Sequence, residues 1–360
     1  MTTQPVTLEL DREAFGPGER LLARAGALRA TAFRYGTGVA ALRLENGAGS
    51  ATFLPFQGQQ IWRADFLGRE LTMRSMFDEP RPTRDYLRTY GALFLHCGGT
   101  AMGNPGPTDT HPLHGELPNL PYDTAQLSFG EDAAGLYAEL TGTARDTLAF
   151  HHDFIARPRL RLHEGATAFE AVIEIENRAH TPLPMLYLAH INFRPADGGV
   201  LVDAVADDRA AAIRQPPADL DAAARAYHRA IATDPAAHRT LQPGMPILPE
   251  LVLTAHASSG VDGWTHALHR RPDGSGDFVS YQPAQLPCAV RWMTRGPDQD
   301  ALGLVLPATA PPDGLAAATA NRQLVLVPPG GSYRADMRFG ALTAPEAQAL
   351  AATIDALRRR

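Results

Sequence analysis

The chain has 360 residues, of which 44% are hydrophobic and 20% charged, enough apolar material for a substantial core. A net charge of −6 gives no sign of the concentrated basic face of a nucleic-acid binder, and no run of eighteen apolar residues offers a membrane span. All 33 basic residues are arginine, which excludes Schiff-base chemistry, pyridoxal phosphate attachment and a P-loop lysine.

Taken in chain order, Met1 to Glu13 is polar and lacks a charged-then-apolar leader pattern. With only Cys97 and Cys288 present, this fits a reducing, cytoplasmic setting. Val39 to Leu44 reads as the first clear strand. Gly58 to Gly68 combines an aromatic ring with amides and charge, a mixture suited to a sugar face, so Trp62, Arg63 and Arg74 are candidate binding residues. His96 and Cys97 precede Gly98-Gly99, a pair that marks a tight turn or close backbone approach.

The segment His111-Pro112-Leu113-His114-Gly115-Glu116 follows a stretch rich in turn formers, Gly103 to Pro107. Imidazole moves protons near neutral pH, and loops on a rigid scaffold often carry function. In an extended segment positions i and i+2 share a face, so His114 and Glu116 are read as an acid/base pair. His96, Cys97, His111, His114 and His190 could supply metal ligands, but no zinc-type spacing is present and no metal or cofactor is expected. There is no nucleophile elbow. His151-His152-Asp153 is read as an exposed strand start.

Phe169 to Ile175 approaches the alternation of a half-buried strand, and Asn177 begins a turn. Leu183 to Phe193 is a long apolar strand; alternation places Leu186, Leu188, His190 and Asn192 on one side. Two polar groups on that side need partners if buried, which points to a polar cleft. Residues 219–234 are alanine-rich and predict a helical excursion. Further strands are predicted at Pro249–Ala255, Ala289–Thr294, Leu302–Leu306 and Gln323–Val327. Thr343-Ala344-Pro345-Glu346 matches a capping box and opens a C-terminal helix over 343–360, with Leu350, Ile354 and Leu357 on one stripe. The whole, residues 1–360, is read as one all-β domain, a large antiparallel sandwich or barrel with a few short helices. Exposed sheet edges leave a homodimer open.

Several segments together resemble the galactose mutarotase-like superfamily, in particular its aldose 1-epimerase-related DUF4432 branch. They are Gly58–Trp62 (GQQIW), Leu95–Gly99 (LHCGG), Pro112–Asn119 (PLHGELPN), Leu188–Phe193 (LAHINF) and the late turn Val327–Gly331. They occur in the expected order over nearly the whole chain. The resemblance implies a β-supersandwich with a sugar cleft. It also implies a cofactor-independent aldose 1-epimerase activity using two histidines and a glutamate on a small carbohydrate. His114 matches the first histidine. His190 matches the second, the general acid toward the ring oxygen. His96, Asn119 and Asn192 join Trp62, Arg63 and Arg74 as substrate-binding candidates. The glutamate is expected in a late strand, where Leu306 stands instead. Leucine cannot accept a proton, so Glu116, Glu79 and Asp109 are the candidate replacements, with Glu116 preferred. Arg63, Arg74 and Arg291 would suit an anionic sugar. A catalytically inactive carbohydrate-binding or sensor protein is the alternative, supported by the leucine.

Overall fold

Short strands with alternating burial build the molecule. In the computed structural model, which describes residues 5–206 and 208–359 apart from the Arg209 side chain, they form two antiparallel sheets. The strand His152–His163 shows the principle: every second residue is buried, and the residues between carry arginines to the surface. Its neighbours Gly135–Leu148 and Ala168–Asn177 pair with it in continuous antiparallel register. Ser332–Leu342, Gly276–Tyr281, Thr265–Arg270 and Val200–Asp203 extend this nine-stranded sheet on one side; Thr124–Asp132 and Val6–Glu9 extend it on the other.

The second sheet has thirteen strands. Its central order is Ile247–Ala255, Cys288–Arg295, Asp300–Ala308, Leu183–Ile191, Phe94–Gly99 and Gln60–Phe66. The apolar run Leu183–Ile191 is buried along almost its whole length, with a strand on each of its edges. The two sheets meet through aromatic side chains. Phe53, Phe66 and Phe94 of the larger sheet face Phe169 and Phe339 of the smaller one, with ring centroids 4.9–6.1 Å apart.

The strands anticipated at Val39–Leu44, Phe169–Ile175, Pro249–Ala255, Ala289–Thr294 and Leu302–Leu306 are present, displaced by no more than two residues at an end. The strand expected at Gln323–Val327 shortens to Val325–Val327, and Leu183–Phe193 ends its ladder at Ile191. The helical excursion is the helix Ala222–Thr233, whose first turn is capped by Asp221 accepting from the Ala224 amide at 2.8 Å. The C-terminal helix Ala344–Arg358 carries the anticipated capping box: Glu346 accepts from the Thr343 amide at 2.8 Å. Its Ala347, Ile354 and Leu357 cover Ala204 and Leu268 at one end of the smaller sheet. A further six-residue helix, Leu315–Ala320, was not anticipated. Among the described residues, no helix is long and apolar enough to cross a membrane.

Candidate active site

The four neighbouring strands from Ile247–Ala255 to Leu183–Ile191 form a floor with two different faces. On one face Val252, Val290, Leu306 and Leu188 line a cleft, together with Glu250, Trp292 and His190. On the other face Leu253, Arg291 and Leu304 line a second pocket, shared with Ala267 and Tyr281 of the smaller sheet. The cleft therefore opens on the outward side of the larger sheet. Its rim is completed by loops carrying Asn104, His114, Arg214 and Pro312.

His190 is buried, only 3% exposed. The Asn192 amide nitrogen donates to the Ala92 carbonyl at 3.0 Å, so its oxygen faces the histidine. That oxygen accepts from His190 Nδ1–H at 2.7 Å and from the Tyr90 hydroxyl at 3.3 Å. This fixes the tautomer and leaves Nε2 for proton exchange. Burial pulls the His190 pKa down to about 4, partly offset by the Asn192 hydrogen bond.

His114 stands across from it, with ring centroids 5.4 Å apart. Burial holds its pKa well below the usual histidine value, and the neighbouring His190 and Arg214 add to the depression. Its backbone adopts φ +61°, and its amide and carbonyl are clamped to Gly103 and Gly98. Its Nδ1 is sealed without a partner, so exchange with the cleft runs through Nε2. Tyr86, Tyr90 and Trp292 frame the pair, with centroid separations of 4.8 Å for Tyr86–His114, 5.8 Å for Tyr90–His190 and 5.3 Å for His190–Trp292.

Opposite the histidines sits a carboxylate that sequence reasoning missed. Glu250 lines the cleft, and its Oε2 accepts from the Trp292 indole N–H at 2.6 Å. Its Oε1 lies 3.5 Å from Arg214, whose second nitrogen is bound to Asp313 at 2.9 Å and to the Pro312 carbonyl at 2.8 Å. Leu306, at the place where the resemblance puts a glutamate, does face the cleft; Glu250 enters two strands away. Only its position in a strand predicted over Pro249–Ala255 could have pointed to it.

Glu116 does not share the cleft with His114. The i, i+2 argument needs extended backbone, and the left-handed φ values of +61° at His114 and +76° at Gly115 break it. The Glu116 carboxylate instead accepts from the Thr100 amide at 2.8 Å and the Thr100 hydroxyl at 2.6 Å. It packs so close to Gly99, at φ +121°, that a Cβ there would stand 2.1 Å from its oxygen. Gly99 is thus required by the loop that presents His114, and Gly98, at φ +112°, by the neighbouring strand, whose Leu186 carbonyl a Cβ there would meet at 2.1 Å.

The other candidates lie outside the cleft. Trp62 is fully buried in the core. Arg63 donates to the carbonyls of Trp62, Gly91 and Phe77, and Arg74 to those of Gly296 and Pro297. His96 points to the inter-sheet side, where Nδ1 meets the Tyr187 hydroxyl at 2.7 Å. Asn119 accepts from Gln60 at 2.9 Å and Gln57 at 3.3 Å, bracing the loop. Arg291 is bound to Asp203 and His238 behind the floor. Asp109 caps the helix Leu315–Ala320 through the Ala316 amide, and His111 accepts from its Leu315 amide. Glu79 accepts from the Thr37 amide, away from the cleft lining. In the His151–Asp153 cluster, His152 pairs with Asp146 at 2.8 Å and Asp153 with Arg145 at 2.5 Å.

The sequence pattern of the DUF4432 family, a domain of unknown function, matches residues 36–341, and the chain belongs to that family. Its fold is that of the galactose mutarotase-like β-sandwiches. A candidate aldose 1-epimerase from Klebsiella pneumoniae superposes with a TM-score of 0.84 at 16% identity, over 99% of this chain and 96% of that one. A galactose mutarotase-like protein from Clostridium acetobutylicum gives 0.58 at 12% identity, over 88% and 98%. Galactose 1-epimerase from Lactobacillus acidophilus gives 0.53 at 11%, over 94% and 99%. No curated protein matches the chain in sequence.

Proposed function

We propose that the protein is a cofactor-independent aldose 1-epimerase that interconverts the anomers of an uncharged reducing sugar. The observation that carries this reading is the convergence of His190, His114 and Glu250 on one cleft in an aldose 1-epimerase-like fold. With the His190 ring protonated on both nitrogens, Glu250 removes the proton of the anomeric hydroxyl while Nε2–H delivers its proton to the ring oxygen and the imidazole becomes neutral. The C1–O5 bond breaks and a C1 carbonyl forms. After rotation about C1–C2, the Glu250 carboxyl returns its proton to the carbonyl oxygen, and the imidazole takes back the proton of the hydroxyl as the ring closes. His114 presents its Nε2 to the same substrate as a hydrogen-bonding partner. Aliphatic side chains of the floor suit the C–H face of a pyranose.

An uncharged substrate is favoured by the arginines. Those once suited to an anion are bound to carbonyls or, for Arg291, to Asp203 and His238 outside the cleft. The cation that does line the cleft, Arg214, already faces Glu250 and Asp313. Saturation-transfer NMR on neutral aldoses and matched uronic acids tests this. Accelerated exchange of at least one neutral aldose is expected. Binding without exchange across the panel would leave a carbohydrate-binding protein instead.

A further inference from the structure

Alternation with Val252 turns Glu250 toward the cleft, and the ladder is irregular just where Glu250 sits. Between Ile247–Ala255 and Cys288–Arg295, Val252 pairs with Trp292 and Leu251 with Met293, but the next pair is Ile247 with Arg295. Leu248, Pro249 and Glu250 together therefore face Thr294 alone. Such an irregularity re-aims side chains and leaves backbone groups without a ladder partner. Here the Pro249 carbonyl, one residue before Glu250, accepts from the Thr294 hydroxyl at 2.8 Å. Thr294 is buried, so no bulk water substitutes readily for that bond.

The opposite edge of the same strand repeats the arrangement. Val290 pairs with Leu306 and Trp292 with Gly303, so Leu304 and Val305 face Arg291 alone. Arg291 Nε–H donates to the Leu304 carbonyl at 3.0 Å, and Asp203 holds its guanidinium at 2.6 Å. Trp292, between the two irregularities, then binds the Glu250 carboxylate.

We propose that Thr294 is a positioning residue for Glu250: its hydroxyl closes the bulge at Pro249 and so sets where the carboxylate meets the Trp292 indole. The inference rests on the catalytic reading of Glu250 given above, but it is tested without relying on it. Thr294→Val keeps the shape and removes the hydroxyl, and Thr294→Ser restores it. Two readouts are taken on the full chain: steady-state anomer exchange, and the Trp292 indole N–H resonance in a ¹H–¹⁵N spectrum, assigned with Trp292→Phe.

Thr294→Val is expected to displace the indole resonance toward that of Glu250→Gln. It should also lower kcat about tenfold with little change in KM, whereas Thr294→Ser returns both to near wild type. A Thr294→Val protein with an unmoved indole resonance, or a Thr294→Ser protein as impaired as the valine variant, would overturn the proposal. If the wild-type protein exchanges no sugar, the functional reading fails while the indole resonance still decides the role of Thr294.

Discussion

One hydrogen bond decides which nitrogen of His190 can exchange a proton. With Nδ1–H committed to Asn192, only Nε2 is left to face the cleft, and burial favours the neutral ring at neutral pH. To deliver a proton from Nε2 the ring must first take one up there and become imidazolium. Because the His190 pKa is drawn down to about 4, raising the pH through neutrality depletes that protonated ring further. We therefore expect kcat/KM to fall as pH rises from 6 to 9; a profile rising over that range would contradict the assignment. His190→Asn is expected to lower kcat/KM about a hundred- to ten-thousand-fold with the fold intact by circular dichroism. Glu116→Gln should leave kcat near wild type while costing about 1 kcal/mol of stability, because its carboxylate serves the Thr100 turn.

Elements differ in how openly the sequence declares them. The C-terminal helix was legible because its capping box and stripe are local; Thr343→Ala should cost about 1 kcal/mol in denaturant unfolding. The strand carrying His190 was legible because alternation holds through Leu188 and His190, both of which line the cleft. Glu116 was misplaced because two consecutive left-handed residues are not written in the periodicity. Glu250 was invisible for a different reason. Its meeting with the histidines depends on which strands lie side by side, and pairing between strands some forty residues apart leaves no local pattern. The glycine pair of Leu95–Gly99 marks a close approach, but what approaches it, the Leu186 carbonyl at Gly98 and the Glu116 carboxylate at Gly99, emerges only from the folded chain. Gly99→Ala should therefore loosen the loop that holds His114, seen as lost activity together with a lowered melting temperature.

At the scale of the whole molecule, one apolar cluster draws on both sheets, and we propose that the chain unfolds as a single cooperative unit. Several imidazoles are buried in it or beside it. Burial draws the pKa of His96 down to about 3 and those of His190 and His238 to about 4. A depressed histidine contributes stability that is present above its unfolded value of about 6.5 and is lost as pH falls toward the folded value. Each unit of depression corresponds to about 1.4 kcal/mol. The melting temperature should therefore drop steeply between pH 6.5 and 4; a flat profile there would show that these rings are solvated. The central claim is that the cleft of His190, His114 and Glu250 exchanges anomers. Its most direct test is saturation-transfer NMR of neutral aldoses with wild-type protein and Glu250→Gln at equal concentration. The account predicts exchange with the wild type and its near-complete loss in a folded Glu250→Gln protein. Undiminished exchange in that variant would contradict it.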